Sequence, residues 1–294
     1  MLASLPRLDP ILVADPAAVE ALARALAAEP IIALDTESNS FHVYRERVCL
    51  IQISTRTTDF VVDPLTIDPR PLGPVLAAAA AVVLHGADYD VRCLKREYGF
   101  SLPGLFDTMA AARRLGRPGL GLSALVEQHF GVRLAKDFQR SDWGRRPLTA
   151  EQIGYAALDT HFLLPLYDLL AGELEVVGAA AAAREEFARI AAVEPRPKVF
   201  DPEGWRRLKA ARDLDGAGRA VLRALWIARE ERASALDRPP FKVMPESALV
   251  EVARRRPRTA EELAAIPGMT TVVVRRMGDA VLAAIRGAED GVGR

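Results

Sequence analysis

The chain has little cysteine and no long apolar run. Its 294 residues include only two cysteines, which argues against a disulfide framework and favours a reducing compartment. Prolines and acidic residues interrupt the first 15 positions, so no apolar segment of a signal peptide is visible. The alanine-rich runs near 76–81 and 179–183 are too short to cross a bilayer. We therefore expect a cytoplasmic protein that has no membrane partner.

The chain also lacks a net charge, although its basic and acidic residues are unevenly distributed along the sequence. It carries 39 basic and 39 acidic residues. Residues 1–200 hold 21 Lys and Arg against 25 Asp and Glu, whereas residues 201–294 hold 18 against 14. The C-terminal third is therefore the part that we expect to face anions. The length is typical of about two domains, and a hydrophobic content of 50% is ordinary for a globular protein.

One buried strand that ends in two acids is the most informative stretch. Residues 31–34 are apolar and precede Asp35 and Glu37. Side chains two apart on a strand project to the same face, so both carboxylates can converge on one point. Like charges are favourable there only with a cation between them, and Mg²⁺ or Mn²⁺ prefers oxygen ligands. A solvated acidic turn after the strand is the alternative.

The flanking patterns predict further strands and helices. Helices begin at N-cap residues or prolines and strands are short apolar runs, which indicates a meander of three strands followed by a fourth. The predicted strands are 11–13, 31–37, 48–54, 59–63 and 81–84, and the predicted helices include 15–29, 72–80, 88–98 and 149–170. Short helices are expected between 101 and 130, with Asp107 at the start of one and Ser123 as the cap of another.

A third acid follows the strand at 81–84. Asp88 and Asp90 lie in the first turn of the next helix, where the helix dipole favours negative charge. We interpret Asp88 as the N-cap and expect Asp90 to face Asp35 across the end of the sheet. A purely structural role for Asp90 is the alternative, and His85 is expected to pack or hydrogen-bond at the end of the strand.

The helix predicted from Thr149 carries a fourth acid together with a tyrosine. Tyr155 and Asp159 are four residues apart, so they share one face, and apolar neighbours indicate that this face points inward. A buried Tyr–Asp hydrogen bond would explain the pair without any chemistry. In the polar segment before this helix, Trp143, Arg145 and Arg146 either line a substrate channel or brace the loop.

Four acids and one tyrosine thus occur in a fixed order: Asp35 and Glu37 at the end of a strand, Asp90 after a strand and a glycine, and then Tyr155 and Asp159 four apart on one helix. Together they resemble the DEDD superfamily of 3′→5′ exonucleases in its tyrosine-bearing branch, and within it ribonuclease D and its eukaryotic exosome relatives. The resemblance spans roughly residues 10–175. The stretches that carry it are 34–37, 47–53, 85–90, 106–108, 141–148 and 155–159.

The resemblance implies an α/β, ribonuclease H-like fold with a mixed sheet. It implies a two-metal mechanism in which Asp35 bridges both ions and Glu37 and Asp159 complete the site that activates water. Asp90 holds the second ion. Tyr155 orients the water rather than deprotonating it, because an ordinary tyrosine pKa is about 10. Two divalent ions, Mg²⁺ or Mn²⁺, about 4 Å apart would neutralise the attacking oxygen, the phosphate and the leaving oxygen.

The sequence departs from the resemblance at two points. Ribonuclease D usually has an aromatic residue directly after the first-motif glutamate, whereas Ser38 follows Glu37 here. Phe41 or His42 is then expected to pack against the terminal base. Bacterial ribonuclease D also often carries two C-terminal helical modules, and this chain has room for one.

The C-terminal third is predicted to be helical. A Pro-rich linker at 194–202 separates residues 1–193 from 203–288, and the stretches 238–245 and 263–269 resemble the helicase and ribonuclease D C-terminal (HRDC) domain. The predicted helices are 203–213, 218–236, 245–255, 259–266 and 270–287. A glycine turn precedes the last helix, and Arg275 and Arg276 lie on that helix. This arrangement predicts contacts with a nucleic-acid backbone. A bundle that only packs on the nuclease is the alternative.

These observations predict a metal-dependent 3′→5′ exoribonuclease that releases 5′-mononucleotides from single-stranded RNA 3′ ends. Precursors of tRNA or other structured RNA are the candidate substrates, and the sequence points to no protein partner. A DNA exonuclease for repair is the alternative within the enzyme class. A non-catalytic nucleic-acid-binding adaptor would be expected to have lost at least one of the four acids, and none is lost.

Overall fold

The computed structural model describes residues 9–135, 137–195 and 199–292, with side chains described as far as 288 in the last helix. The chain divides into two compact units. The first comprises Met1–Asn39 and Arg47–Arg196, and the second comprises Ser40–Glu46 and Pro197–Arg294. The predicted linker at 194–202 lies in part outside the described residues. The assignment of Ser40–Glu46 to the second unit was not predicted.

The first unit is built on a mixed sheet, as predicted, although the sheet has six strands and only five were expected. Its strands are β1 (Ile11–Val13), β2 (Ile31–Ser38), β3 (Val48–Ser54), β4 (Asp59–Val62), β5 (Ala81–Leu84) and β6 (Leu105–Asp107). Their spatial order is β1-β4-β3-β2-β5-β6. The meander is confirmed, because β2, β3 and β4 pair antiparallel in sequence. The other pairs, β1–β4, β2–β5 and β5–β6, are parallel.

The central strand β2 extends beyond its neighbour β5. It pairs with β5 only through Ile31–Ala33, and continues along β3 as far as Ser38. The register shifts between Glu37 and Ser38, which is a β-bulge that re-aims the end of the strand. The acidic part of β2 is therefore left open on the side where the chain leaves β5.

Eight helices flank the sheet in the described part of the first unit. They are α1 (Pro16–Leu26), α2 (Leu72–Ala78), α3 (Asp88–Tyr98), α4 (Thr108–Arg114), α5 (Leu122–Phe130), α6 (Ala150–His161), α7 (Leu163–Val176) and α8 (Ala180–Ala191). Side chains of β2 alternate between two cores: Ile32 and Leu34 join the core that includes α1, α2 and α3, whereas Ala33 joins the core that includes α7 and α8. Because the side chains of β2 alternate between the two faces of the sheet, helices pack against both faces.

The predicted helix cap is correct for α1 and wrong for α3 and α5. Asp15 caps α1 through a 2.9 Å bond from Ala18 N, as predicted. Asp88 was wrongly predicted as a cap: Ala87 occupies that position, and Asp88 forms an (i, i+4) ion pair with Arg92 at 2.8 Å. Ser123 was also wrongly predicted, since the cap of α5 is Gly121.

The single helix predicted over 149–170 is two helices. α6 ends at His161 and α7 begins at Leu163, with Phe162 between them. Pro165 explains the break, because proline has no N–H to donate to the carbonyl of His161 and its ring clashes with that carbonyl. The strand β6 was missed, because it ends at Asp107, the N-cap of α4, and lies in the segment that was expected to form short helices.

The second unit is helical, as predicted. It contains α9 (Gly216–Ala235), α10 (Pro240–Val243), α11 (Glu246–Arg255), α12 (Ala260–Ala264) and α13 (Thr271–Val292). The helix predicted at 203–213 is instead two short 3₁₀ helices, Gly204–Arg207 and Lys209–Asp213. The core of the second unit includes Leu222, Leu225, Leu249 and Met277, and Tyr44 packs against this core. Within the described residues, no helix combines the length and the apolar character that a bilayer span requires.

Candidate active site

The acidic end of β2 supplies the first two carboxylates. Asp35 is paired with Gln52 and Glu37 with Leu50 across the β2–β3 ladder. Both acids are partly buried, and they alternate with Thr36, which is 8% exposed. The buried apolar residues before them anchor the strand, so the two acids are held at a fixed position at its end.

The third carboxylate, Asp90, comes from the first turn of α3. It is only 7% exposed. The hydroxyl of Thr36 donates a short hydrogen bond to Asp90 Oδ1, which ties the start of α3 to the end of β2. The charge of Asp90 raises the pKa of both Asp35 and Glu37, so the predicted approach of Asp90 to the acids of β2 occurs, and Thr36 is the contact that secures it.

The fourth carboxylate, Asp159, and Tyr155 come from α6. The helix begins with a capping box in which Thr149 and Gln152 each accept a hydrogen bond from the backbone of the other. Ala156 and Ala157 are fully buried against Cys49, Leu50 and Val61 of the sheet, so the small side chains allow α6 to lie close to it. Tyr155 and Asp159 are partly buried on α6.

Other acids of the cluster, together with burial, raise the pKa values of Asp35, Glu37 and Asp159. Burial, followed by repulsion from Asp90, Asp159 and Glu37, raises the pKa of Asp35 well above its ordinary value. Burial and the charges of Asp159 and Asp90 raise the pKa of Glu37 to about 9. A cation that neutralises these repelling carboxylates would therefore stabilise the cluster.

The other two acids also have raised pKa values, with smaller shifts than that of Glu37. Burial raises the pKa of Asp90 to about 6, although the hydrogen bond from Thr36 lowers it. Burial and the charge of Asp90 raise the pKa of Asp159 to about 7. Neutral pH therefore leaves the cluster partly protonated unless a cation is bound.

The donor set suits a hard divalent cation. Four carboxylates and no cysteine make up the cluster, and oxygen ligands are those that Mg²⁺ and Mn²⁺ prefer. Among the described residues, no three side chains already form the coordination sphere of one ion. The fit therefore rests on the chemistry of the donors and on their mutual repulsion.

Aromatic contacts position Tyr155. Its ring stacks on Trp143, with centroids 6.1 Å apart at 27°, and tilts against Phe138 at 5.6 Å. Burial and the charges of Asp159, Glu37 and Asp35 raise its pKa above the ordinary value, so it stays protonated at neutral pH. No hydrogen bond among the described residues joins Tyr155 to Asp159, so the pair is not explained by such a bond.

Trp143 and Arg146 brace the loop before α6. Trp143 is only 1% exposed. Arg146 donates hydrogen bonds of 2.5 and 2.6 Å to Asp63, one of 3.0 Å to Cys49 O and one of 2.8 Å to Trp143 O. These contacts favour the bracing role over the predicted substrate contact for both residues.

The remaining predicted substrate contacts are spread over both units. Arg145 is exposed, in the first unit. Phe41 is 51% exposed and His42 Nδ1 lies 3.4 Å from Lys242 Nζ, both in the second unit. On α13, Arg275 is exposed and Arg276 is partly exposed. Their contacts with substrate stay predictions.

Asp107 is a buried acid that supports the site from outside it. It caps α4 by accepting from Met109 N and Ala110 N, and it also accepts from Gly86 N and Ala87 N before α3. It thereby fixes the turn that delivers Asp90. His85, as predicted, hydrogen-bonds at the strand end, with Nδ1 2.9 Å from Thr108 Oγ1.

Sequence reasoning missed Thr36, Asp63 and the bracing role of Asp107. The run of four polar residues at 35–38 was visible, but nothing local indicated that Thr36 would contact Asp90. Asp63 directly follows a strand, which is also where a turn residue is common. Their roles depend on partners that are distant in the sequence.

Comparison with protein families gives two matches. Residues 10–175 match a family described as 3′-5′ exonuclease, and residues 218–285 match the HRDC domain. Ribonuclease D of Acidiphilium cryptum is 32% identical over 271 residues, which cover 90% of this chain and 68% of that protein. The exosome complex exonuclease RRP6 of Saccharomyces cerevisiae is 31% identical and matches 87% of this chain.

Solved structures share both the fold and the helical unit. The catalytic core of RRP6 from Trypanosoma brucei has a TM-score of 0.88 and 31% identity, covering 99% of this chain and 82% of that one. Escherichia coli RNase D, described as an exoribonuclease involved in structured RNA processing, has a TM-score of 0.74 and 31% identity, covering 96% and 76%. The expected ribonuclease H-like fold is thus confirmed. The chain spans 37% of the length of the yeast relative.

Proposed function

Because the chain belongs to the 3′-5′ exonuclease family and carries an HRDC domain, we propose that it is an exoribonuclease that shortens RNA from the 3′ end and releases 5′-mononucleotides. The observation that carries the proposal is the cluster of Asp35, Glu37, Asp90 and Asp159, whose pKa values are all raised by burial and, for Asp35, Glu37 and Asp159, by the neighbouring acids. Tyr155 stands one helical turn from the last of these acids.

Divalent metal ions are required in this family. We propose two ions, Mg²⁺ or Mn²⁺, held by the four carboxylates, with Asp35 shared between them. Such ions supply a nucleophilic water at neutral pH and neutralise charge on the phosphate and the leaving oxygen. The protein contributes by holding the carboxylates rigidly, through the β2 strand, the Thr36 bond to Asp90 and the close packing of α6.

Tyr155 contributes as a hydrogen-bond donor. Its pKa is raised by burial and by four neighbouring acids, so the hydroxyl keeps its proton under working conditions. A protonated phenol orients a water or a phosphate oxygen and does not abstract a proton. The stack on Trp143 restricts the ring, which makes the hydroxyl a fixed donor.

RNA is the favoured substrate class. Two relatives that cover 90% and 87% of this chain are named ribonuclease D and exosome complex exonuclease RRP6. The E. coli structure is described as an exoribonuclease involved in structured RNA processing. We therefore propose precursors of tRNA or other structured RNA, with a single-stranded 3′ end entering the site. A DNA exonuclease would require equal or faster cleavage of DNA, which is an outcome of the experiment below.

The helical unit is proposed to grip the nucleic-acid backbone. Arg275 and Arg276 lie near the start of α13, and neither forms a hydrogen bond or ion pair with another described residue. Arginines left without an acidic partner suit phosphate, and such contacts are independent of sequence.

The test uses 5′-labelled single-stranded RNA and DNA of the same sequence, with Mg²⁺, Mn²⁺ or EDTA. We expect a ladder that shortens from the 3′ end of RNA and is abolished by EDTA and by Asp35→Ala. Asp90→Asn and Asp88→Asn form a matched pair, since Asp88 is exposed and already paired with Arg92. Asp90→Asn should abolish cleavage and Asp88→Asn should not. Binding of RNA without any cleavage would contradict the proposal.

A further inference from the structure

We propose that Tyr89 is a stacking platform for the base of the 3′-terminal nucleotide. This inference rests on the proposed function and adds a residue that positions the substrate. Tyr89 is the second residue of α3 and directly precedes Asp90. Its hydroxyl lies 2.8 Å from Ser38 Oγ, and Ser38 directly follows Glu37. Tyr89 is therefore next in the chain to one of the four acids, and is joined to the neighbour of another.

The exposure of Tyr89 is unusual in its surroundings. It is 41% exposed, and among the described residues of the first unit it is the only Phe, Tyr or Trp that is exposed. Part of this aromatic side chain is therefore accessible to a ligand, at a residue that is next in the chain to Asp90. A ligand with a flat apolar face would cover it.

The hydrogen bond with Ser38 makes the ring rigid. One end of the side chain is fixed by the first turn of α3 and the other end by Ser38. A ring that is already oriented loses little conformational entropy when a partner stacks on it. The bulge in β2 between Glu37 and Ser38 helps to place Ser38 for this contact.

Charge decides which part of a nucleotide suits this ring. The cluster beside it is anionic until cations are bound, so a phosphate is not drawn to Tyr89 itself. A base is neutral and every base has a π-face, so stacking on Tyr89 would tolerate any sequence. This is the behaviour expected of an enzyme that removes nucleotides one after another.

The experiment compares two RNA substrates that differ only in whether the 3′-terminal nucleotide carries a base. Single-turnover cleavage of the terminal bond is measured with wild type, Tyr89→Leu, Tyr89→Phe and Ser38→Ala. The wild type should prefer the intact end by roughly 5- to 150-fold in kcat/KM, the range for one base stacked on an aromatic ring. Tyr89→Leu should lose this preference by slowing only the intact end. Tyr89→Phe and Ser38→Ala should retain most of it.

The outcomes separate this inference from the proposed function. If Tyr89→Leu slows intact and abasic ends by the same factor, the residue only ties β2 to α3 and the inference is overturned. An unchanged preference in Tyr89→Leu overturns it as well. If the wild type shortens neither RNA, the proposed function fails, and this inference fails with it. Tyr98→Phe, a hydroxyl removed at the other end of the same helix, is the control and should behave as wild type.

Discussion

Thr36 donates a hydrogen bond from a buried hydroxyl to the carboxylate of Asp90, although 54 residues separate the two in the chain. The bond crosses from the central strand to the helix that follows its parallel neighbour. It favours the charged form of Asp90, and burial opposes this, which leaves the pKa of Asp90 raised to about 6. Thr36 therefore sets both the position and the proton affinity of one proposed metal ligand.

Replacing Thr36 by valine should shift the acid side of the pH–activity profile to higher pH. Loss of the hydrogen bond removes an interaction that stabilises the carboxylate, so the pKa of Asp90 rises further. A net hydrogen bond of this kind corresponds to roughly one pH unit. The measurement is kcat/KM against pH at a fixed concentration of free Mn²⁺. Thr36→Ser keeps the hydroxyl and should follow wild type; a profile that is the same in Thr36→Val would contradict the assignment.

The metal-free protein should lose stability as the pH rises. All four carboxyls have a higher pKa in the folded chain than in the unfolded one, so the folded state keeps protons that the unfolded state has released. Protonation therefore favours folding, and this stability, present near pH 4, is lost as the pH rises through about 6, 7 and 9 for Asp90, Asp159 and Glu37.

Melting temperatures in EDTA and in Mg²⁺ from pH 5 to pH 9 test this prediction. We expect Tm in EDTA to fall with pH and the addition of Mg²⁺ to restore it most at high pH. Asp159→Asn removes a repelling charge that is present at pH 8, because the pKa of Asp159 is about 7, so it should raise Tm in EDTA at that pH. Asp88→Asn should leave the slope unchanged. A metal-free Tm that rises over this range would show that the acids are not in mutual contact.

The central strand and the acids could be predicted because their signals are local. An apolar run predicts β2, and the order and spacing of Asp35, Glu37, Asp90 and Asp159 carry the resemblance to the exonuclease family. The contribution of Thr36 could not be predicted, because it requires a partner that only the folded sheet brings close.

Other errors came from competing local signals. Asp88 is a good N-cap by type, but the turn places Ala87 there, and the start of α3 is held instead by Asp107 through bonds to Gly86 N and Ala87 N. The assignment of Ser40–Glu46 to the second unit likewise depends on distant contacts: Tyr44 donates to Glu230 at 2.6 Å, and Asp237 accepts from its backbone N–H. A reading of the sequence in order cannot find such contacts.

Replacing Tyr155 by phenylalanine should lower kcat about 10²-fold and leave KM nearly unchanged, because a misplaced nucleophile costs about that much. The raised pKa of Tyr155 keeps its hydroxyl protonated across the working range. The ascending side of the pH profile should therefore be the same in wild type and in Tyr155→Phe. An increase towards high pH that the variant lacks would instead identify Tyr155 as the base.

Substitutions of two neighbouring arginines should change different properties, stability for Arg146 and substrate binding for Arg145. Arg146→Ala leaves Asp63, whose side chain is only 4% exposed, without its positively charged partner, so the free energy of unfolding should fall by about 3 kcal/mol. Arg145 is exposed, and Arg145→Ala should leave the unfolding free energy unchanged and raise KM for RNA. Urea unfolding and steady-state kinetics on both variants provide the comparison. Equal stability of the two variants would refute the bracing role of Arg146.

The contribution of the helical unit should be visible in the salt dependence of RNA binding. Each arginine that neutralises a phosphate of a single strand adds about 0.7 to the slope of log K against log salt concentration. In a full-length Asp35→Asn background, which prevents cleavage, Arg275→Ala and Arg276→Ala should each weaken binding at low salt and lower this slope. Arg286 is exposed on the same helix about three turns further along, so Arg286→Ala is the matched control. If all three variants bind with the wild-type slope, the arginines near the start of α13 do not contact RNA, and the unit serves as a packed bundle.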